Sequence, residues 1–147
     1  FEKSINQYNK VLELFPGYGF AWDGIGYAQF ISGQREAAMR SWENFFVIVG
    51  NNDMAEYFKA NAVEKALNHW IELAIKGESL LCSNPTIIAQ AHMFVNEKEG
   101  ALEYLELAFE VKNEDLPTML LRPHFSPLHN EPRFKELVKK VGVNLIQ

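Results

Sequence analysis

AWDGIGYAQFISGQREAAMRSWENFFVIVGNN, residues Ala21 to Asn52, decides the fold class. Its apolar residues recur three and four apart in two successive runs, the spacing of a helix face. The first run, from about Phe20 to Ser32, carries Trp22, Ile25, Gly26, Gln29 and Phe30. Gly33 closes it with a residue that accepts the left-handed conformation favoured after a helix. The second run, from about Arg35 to Val49, sets Ala38, Met39, Trp42, Phe45, Phe46 and Val49 on its buried side, and Gly50-Asn51-Asn52 ends it. So few residues separate the runs that the two helices must fold back as an antiparallel hairpin.

The same period extends in both directions. Phe1 to Phe15 reads as a helix with Ile5, Tyr8, Val11, Leu12 and Phe15 on one stripe, stopped by Pro16-Gly17. It starts with no capping residue ahead of it, which implies a segment trimmed from a longer chain. Downstream, the pattern predicts a short helix capped by Asp53 and interrupted at Asn61, then a longer one through Val63, Leu67, Trp70 and Ala74 towards Leu81. Ser83-Asn84-Pro85 reads as a helix start, with proline in the first turn. That helix runs through Ile88 and Ala91 to a left-handed stop at Asn96. Another follows from Lys98 to Val111. Leu116 to Pro127 reads as a proline-rich loop with at most one helical turn, and Asn130-Glu131-Pro132 opens a last helix ending at Gly142. No run of alternating β-branched residues competes. The prediction is an all-α chain with Trp22, Ile25, Ala38, Trp42, Phe45, Leu102, Leu105 and Ala108 buried.

Composition bounds the function. With 147 residues and 48% hydrophobic content the chain can bury one core. The net charge is -5 and no lysine or arginine stripe exists, so a duplex-binding footprint is absent and direct nucleic-acid binding is not expected. A single cysteine, Cys82, excludes an intrachain disulfide and any paired-cysteine metal pattern, and suits a reducing, cytoplasmic setting. The longest apolar run, Phe45 to Val49, is far too short to span a bilayer, so no membrane association is expected.

The order Trp22, Ile25-Gly26, Gly33, Ala38, Trp42, Phe45 resembles a tetratricopeptide repeat, a helix-turn-helix unit of about 34 residues. In that family a large aromatic opens the first helix, a Leu-Gly pair follows, and small residues sit where the helices cross. Trp22, Ile25-Gly26 and Ala38 take those places, while Gly50 replaces the family's terminal proline. Ser4, Tyr8, Val11, Leu14 and Pro16 match the second half of a preceding unit, whose first helix would lie before Phe1. Ala89, Asn96, Ala101, Leu105 and Ala108 match a third unit, with Ala89 and Asn96 in place of glycines. Arg122 to Leu137, RPHFSPLHNEPRFKEL, resembles an ending common to such arrays in bacterial regulators. The resemblance implies helical hairpins stacked as a right-handed superhelix. Residues 1–18 would be a half repeat, 19–52 a clear repeat, 53–82 a degenerate helical unit, 83–112 a repeat, and 113–147 a proline-rich segment with a capping helix.

A search for chemistry finds none. Gly24-Ile25-Gly26 lies inside a predicted helix, so it is not a phosphate loop. His124 and His129 flank the tail with Glu131 nearby, a weak metal arrangement that reads better as partly exposed side chains. His92, next to Met93 and Phe94, reads as packing. The carboxylates Glu97, Glu99, Glu103 and Glu106 form a solvated helix face, and Cys82 reads as a small buried filler. The chain is therefore expected to be no enzyme and to need no cofactor or metal.

What remains is surface. In the resembled family the first helix of each hairpin lines a concave wall. Here that wall would carry Asp23, Tyr27, Phe30 and Ile31 in one unit and Thr86, Gln90, Met93 and Phe94 in another. Such a wall suits a partner helix or extended peptide, unless the chain's own middle helix or tail fills it. The Lys and Asn clamp by which some relatives hold chaperone tails is missing. The resemblance implies a non-catalytic interaction module for a protein or peptide partner, a second copy of itself included, in the C-terminal regulatory part of a larger bacterial signalling or transcriptional regulator. A sensing domain with a small molecule or peptide in the groove, and a structural spacer or self-association module, are the alternatives.

Overall fold

A computed structural model of the chain describes residues 1–78 and 84–145. The helices are α1 (Glu2–Leu14), α2 (Gly19–Ile31), α3 (Arg35–Ile48), α4 (Asn52–Ala60), α5 (Val63–Lys76), α6 (Pro85–Phe94), α7 (Lys98–Glu110), α8 (Leu116–Met119) and α9 (Pro132–Val141), with a 3-10 helix at Pro123–Leu128. No strand occurs among the described residues, so the chain is all-α as expected. The expected extension of α5 to Leu81, the cap at Ser83 and the reading of Cys82 lie outside the described residues.

The turns use left-handed residues. Gly33 sits at φ +83° and Asn96 at φ +58°, and each leads into the next helix. The two turns share one hydrogen bond: Gln34 N donates to Gln29 O at 2.8 Å, and Glu97 N donates to His92 O at 2.9 Å. Lys112 also has positive φ, +54°, without glycine's freedom or asparagine's tolerance. Replacing Lys112 by glycine is therefore expected to raise stability by up to about 1 kcal/mol, because the relieved strain outweighs the extra freedom of the unfolded chain. A lower urea midpoint for Lys112→Gly would contradict this.

The chain forms two compact units, Phe1–Trp70 and Ile71–Gln147, and the boundary falls inside α5. In the first unit α1 packs on α2, α2 on α3 and α3 on α4. The α2–α3 crossing is close because Gly26 faces the Trp42 indole: a Cβ there would stand 2.9 Å from the ring. Ala38 is wholly buried. Phe46 stacks on Phe58 at 5.2 Å and lies 6.1 Å from Trp70, joining α3, α4 and α5 in one aromatic core. Ile25, Trp42 and Phe45 are buried as expected, but Trp22 is only half-buried. The face of α2 is made instead by Ala21, Ile25 and Ala28, whose small side chains permit near contact. Asn51, not Asp53, caps α4, its side chain accepting from Met54 N at 3.1 Å.

In the second unit α6 and α7 form a hairpin over Ile87, Ile88, Ala91, Leu102, Leu105 and Ala108. The tail departs from the expected loop. Leu116, Met119, Leu120, Phe125 and Leu128 are buried, in α8 and the 3-10 helix. Prolines permit this because Pro117, Pro123 and Pro132 occupy first turns, where a missing N–H breaks no hydrogen bond. α9 then docks on α7 through Phe134, Leu137 and Val138.

Candidate functional site

The eight residues expected on an inner wall sit at matching places on α2 and α6, and the fold treats them unequally. Asp23 is buried, and its Oδ1 accepts the Trp42 indole N–H at 3.0 Å. An indole N–H in an aromatic core needs an acceptor, so this carboxylate is part of the crossing. Tyr27 is half-buried, and desolvation pushes its phenol above the ordinary tyrosine range. Phe30 is half-buried between Trp42, at 5.7 Å, and the Arg35 guanidinium, 4.3 Å above its ring. Arg35 also pairs with Glu64 at 2.6 Å. Ile31 is exposed.

On α6 the wall is largely covered. Thr86 is fully buried, and its hydroxyl donates to Asn84 Oδ1 at 2.8 Å. Asn84 is held in turn by Asn113, whose Nδ2 donates to that same oxygen at 3.2 Å, and it donates to Asp115 at 2.8 Å. Gln90 is buried and accepts from the buried Arg122 at 3.2 Å. Phe94 meets the edge of His124 at 5.6 Å. The tail thus lies on this face of α6, leaving Met93 half-buried. His124 is 2% exposed, which corrects the expectation of a partly exposed histidine, and His129 is half-buried against Phe134. No group of three metal-capable side chains occurs among the described residues.

Three further contacts escaped the sequence reading. Gln29 Oε1 accepts from Ser41 Oγ at 2.7 Å in the first hairpin. At the matching places in the second, His92 stacks on Tyr104 at 5.4 Å, and its Nδ1 lies 2.8 Å from Glu97 Oε2. A Cβ on Gly100 would come 2.5 Å from that imidazole, so the glycine makes room for the ring. His92 is a packing residue, as its neighbours Met93 and Phe94 indicated. Elsewhere in this unit a cleft of about 380 Å³ is walled by Ile75, Ile88, Leu107 and Val111, with Lys76 and Tyr104 as its polar members.

The α7–α9 junction carries the strongest charge cluster. Arg133 donates from Nε and Nη2 to both oxygens of Glu106, at 2.8 and 2.7 Å, and from Nη1 to Glu99. Lys98 reaches Glu131 at 3.1 Å. The Arg133 hydrogen bonds hold the Glu106 carboxyl below the ordinary carboxylate range and push the guanidinium further up. A depressed carboxyl contributes stability above its unfolded pKa and loses it as pH falls through the folded value. Glu106→Gln is therefore expected to lower the melting temperature slightly at neutral pH and not at all well below pH about 4. The effect stays small because both side chains are part-exposed and salt-screened. An equal deficit at both pH values would contradict it.

No helix among the described residues is long and apolar enough to cross a membrane. The fold defines the class: an all-α protein of antiparallel helical hairpins. In comparisons with known proteins, no family model, no curated protein and no solved structure matches the chain.

Proposed function

We propose that this chain is a non-catalytic interaction module of tetratricopeptide type that holds a protein or peptide partner. The observation that carries the reading is the division of labour on α2. Asp23 is committed to the crossing, while Tyr27, Phe30 and Ile31 form a half-exposed aromatic and aliphatic strip with one cation, Arg35, at its edge. Rigid amphipathic side chains of this kind give contact area at low entropic cost. The buried polar groups named above are spent on packing, which fits a scaffold. The setting, a regulatory segment of a larger cytoplasmic bacterial protein, rests on the resemblance of Arg122 to Leu137 alone.

The test is selection of binding peptides from a random library, followed by single substitutions on the folded chain. Ile31→Glu is expected to weaken the selected peptides by about tenfold or more without moving the melting temperature, since Ile31 is exposed. Peptides that ignore both Ile31→Glu and Met93→Glu would sink the reading. A sensing role is the second reading, favoured by the cleft beside Lys76 and Tyr104, whose apolar walls and single cation suit a small apolar acid.

A further inference from the structure

The two hairpins carry different residues at one corresponding place. The step along the chain from Gly33 to Asn96 also carries Ala38 onto Ala101, Ser41 onto Tyr104 and Trp22 onto Pro85. Where the first hairpin has a half-buried indole, the second has the small, buried ring of Pro85. The cleft of about 380 Å³ opens at that ring. Pro85 and Ile88 are its buried walls. Ile75 of α5, Leu107 of α7 and Val111 at the end of α7 are exposed and line the same hollow. Single exposed apolar side chains are ordinary on a protein surface. Three that meet at one concavity from two helices mark a binding surface for something apolar.

Lys76 is the one charged residue that lines the cleft. Its place in the last turn of α5 suits the helix dipole, and no carboxylate pairs with it among the described residues. Tyr104 is the other polar member, and its ring is fixed in advance. It stacks on His92 at 5.4 Å, and His92 is held by Glu97 at 2.8 Å in the space that Gly100 leaves. A wall already ordered costs less to bind against. We propose that this cleft binds a small amphipathic carboxylic acid. Its aliphatic or aryl tail lies against Pro85, Ile88 and Leu107, and its carboxylate accepts from the Lys76 ammonium and the Tyr104 hydroxyl. The proposal rests on the sensing reading above and gives it a ligand class and the residues that hold the ligand. The volume falls at the lower end of the range for small-molecule sites, about 300–1,000 Å³. It suits a medium-chain or single-ring acid rather than a long-chain lipid.

The experiment titrates the full chain with octanoate by calorimetry, with octanol and acetate as controls. Octanoate is expected to bind about tenfold more tightly than octanol, which lacks the charge, and than acetate, which lacks the tail. Lys76→Met is expected to remove the preference over octanol. Leu107→Glu is expected to weaken octanoate by about tenfold or more. Both side chains are exposed, so melting curves should show both variants folded like the parent. Tyr104→Phe keeps the ring on His92 and removes only the hydroxyl, so it should weaken octanoate severalfold and leave octanol unchanged. Octanoate binding that survives both Lys76→Met and Leu107→Glu lies elsewhere on the chain and overturns the proposal. Octanol binding as tightly as octanoate overturns the acid and keeps a sensing cleft. Binding by neither overturns the acid and the sensing reading together. The peptide reading is tested separately, at Ile31 on α2.

Discussion

Removal of Asn130 to Gln147 is expected to leave a chain that aggregates, or that melts at a clearly lower temperature. α9 presents Phe134, Leu137 and Val138 to α7, and all three are buried. Burying such side chains contributes about 1.5–3 kcal/mol each, before the entropy of ordering the helix is subtracted. The net loss is a large share of the stability of a domain this size. The exposed end of a helical stack is also sticky, so the freed face of α7 should drive association. Single substitutions separate the contributions. Phe134→Ala should cost about 3–5 kcal/mol, as for a filled aromatic site. Arg133→Ala should cost far less, because its partners Glu99 and Glu106 are part-exposed. A monomeric truncation with the parent's melting curve would show that the tail is no part of the core.

The α2–α3 crossing should be the second most sensitive place. Ala38→Leu is expected to destabilise by about 1–3 kcal/mol, since added methylenes in a packed core force rotamers and backbone to shift. Ala38 has no exposed surface to absorb them. Gly26→Leu should cost more, because even its Cβ would stand 2.9 Å from the Trp42 indole. Moving that ring would also strain its bond to Asp23 and its packing on Phe58. Thermal melts of the two variants give the order directly. Unchanged melting for both would mean that the helices do not cross at these residues.

Both expectations are legible in the sequence. The small residues Gly26 and Ala38 marked the crossing, and the stripe of Phe134, Leu137 and Val138 marked a docked helix. The candidate wall was less legible. Its residues lie on α2 and α6, but the period of a helix says only which side chains share a face. It does not say what lies against that face. Asp23 lies on α2 and is nonetheless buried beside an indole nineteen residues away. Gln90 looked available and is covered by Arg122, thirty-two residues downstream. The need of a core indole N–H for an acceptor is the signal that could have pointed to Asp23.

The sequence by itself determined the all-α class, the hairpins and most helix ends. These depend on interactions within a few residues: i to i+4 hydrogen bonds, proline in first turns, and glycine or asparagine at positive φ. Gly33, Asn96, Gly142 and Pro132 could be read for that reason. Tertiary structure alone decided that His124 and Thr86 are buried, that the proline-rich tail coils into α8 and a 3-10 helix, and that Gln90 is covered by Arg122. Short proline-rich segments have no strong helical period of their own, so their shape comes from the surface they cover. Here that surface is α6, whose side chains Gln90 and Phe94 meet Arg122 and His124 only once the chain has folded back.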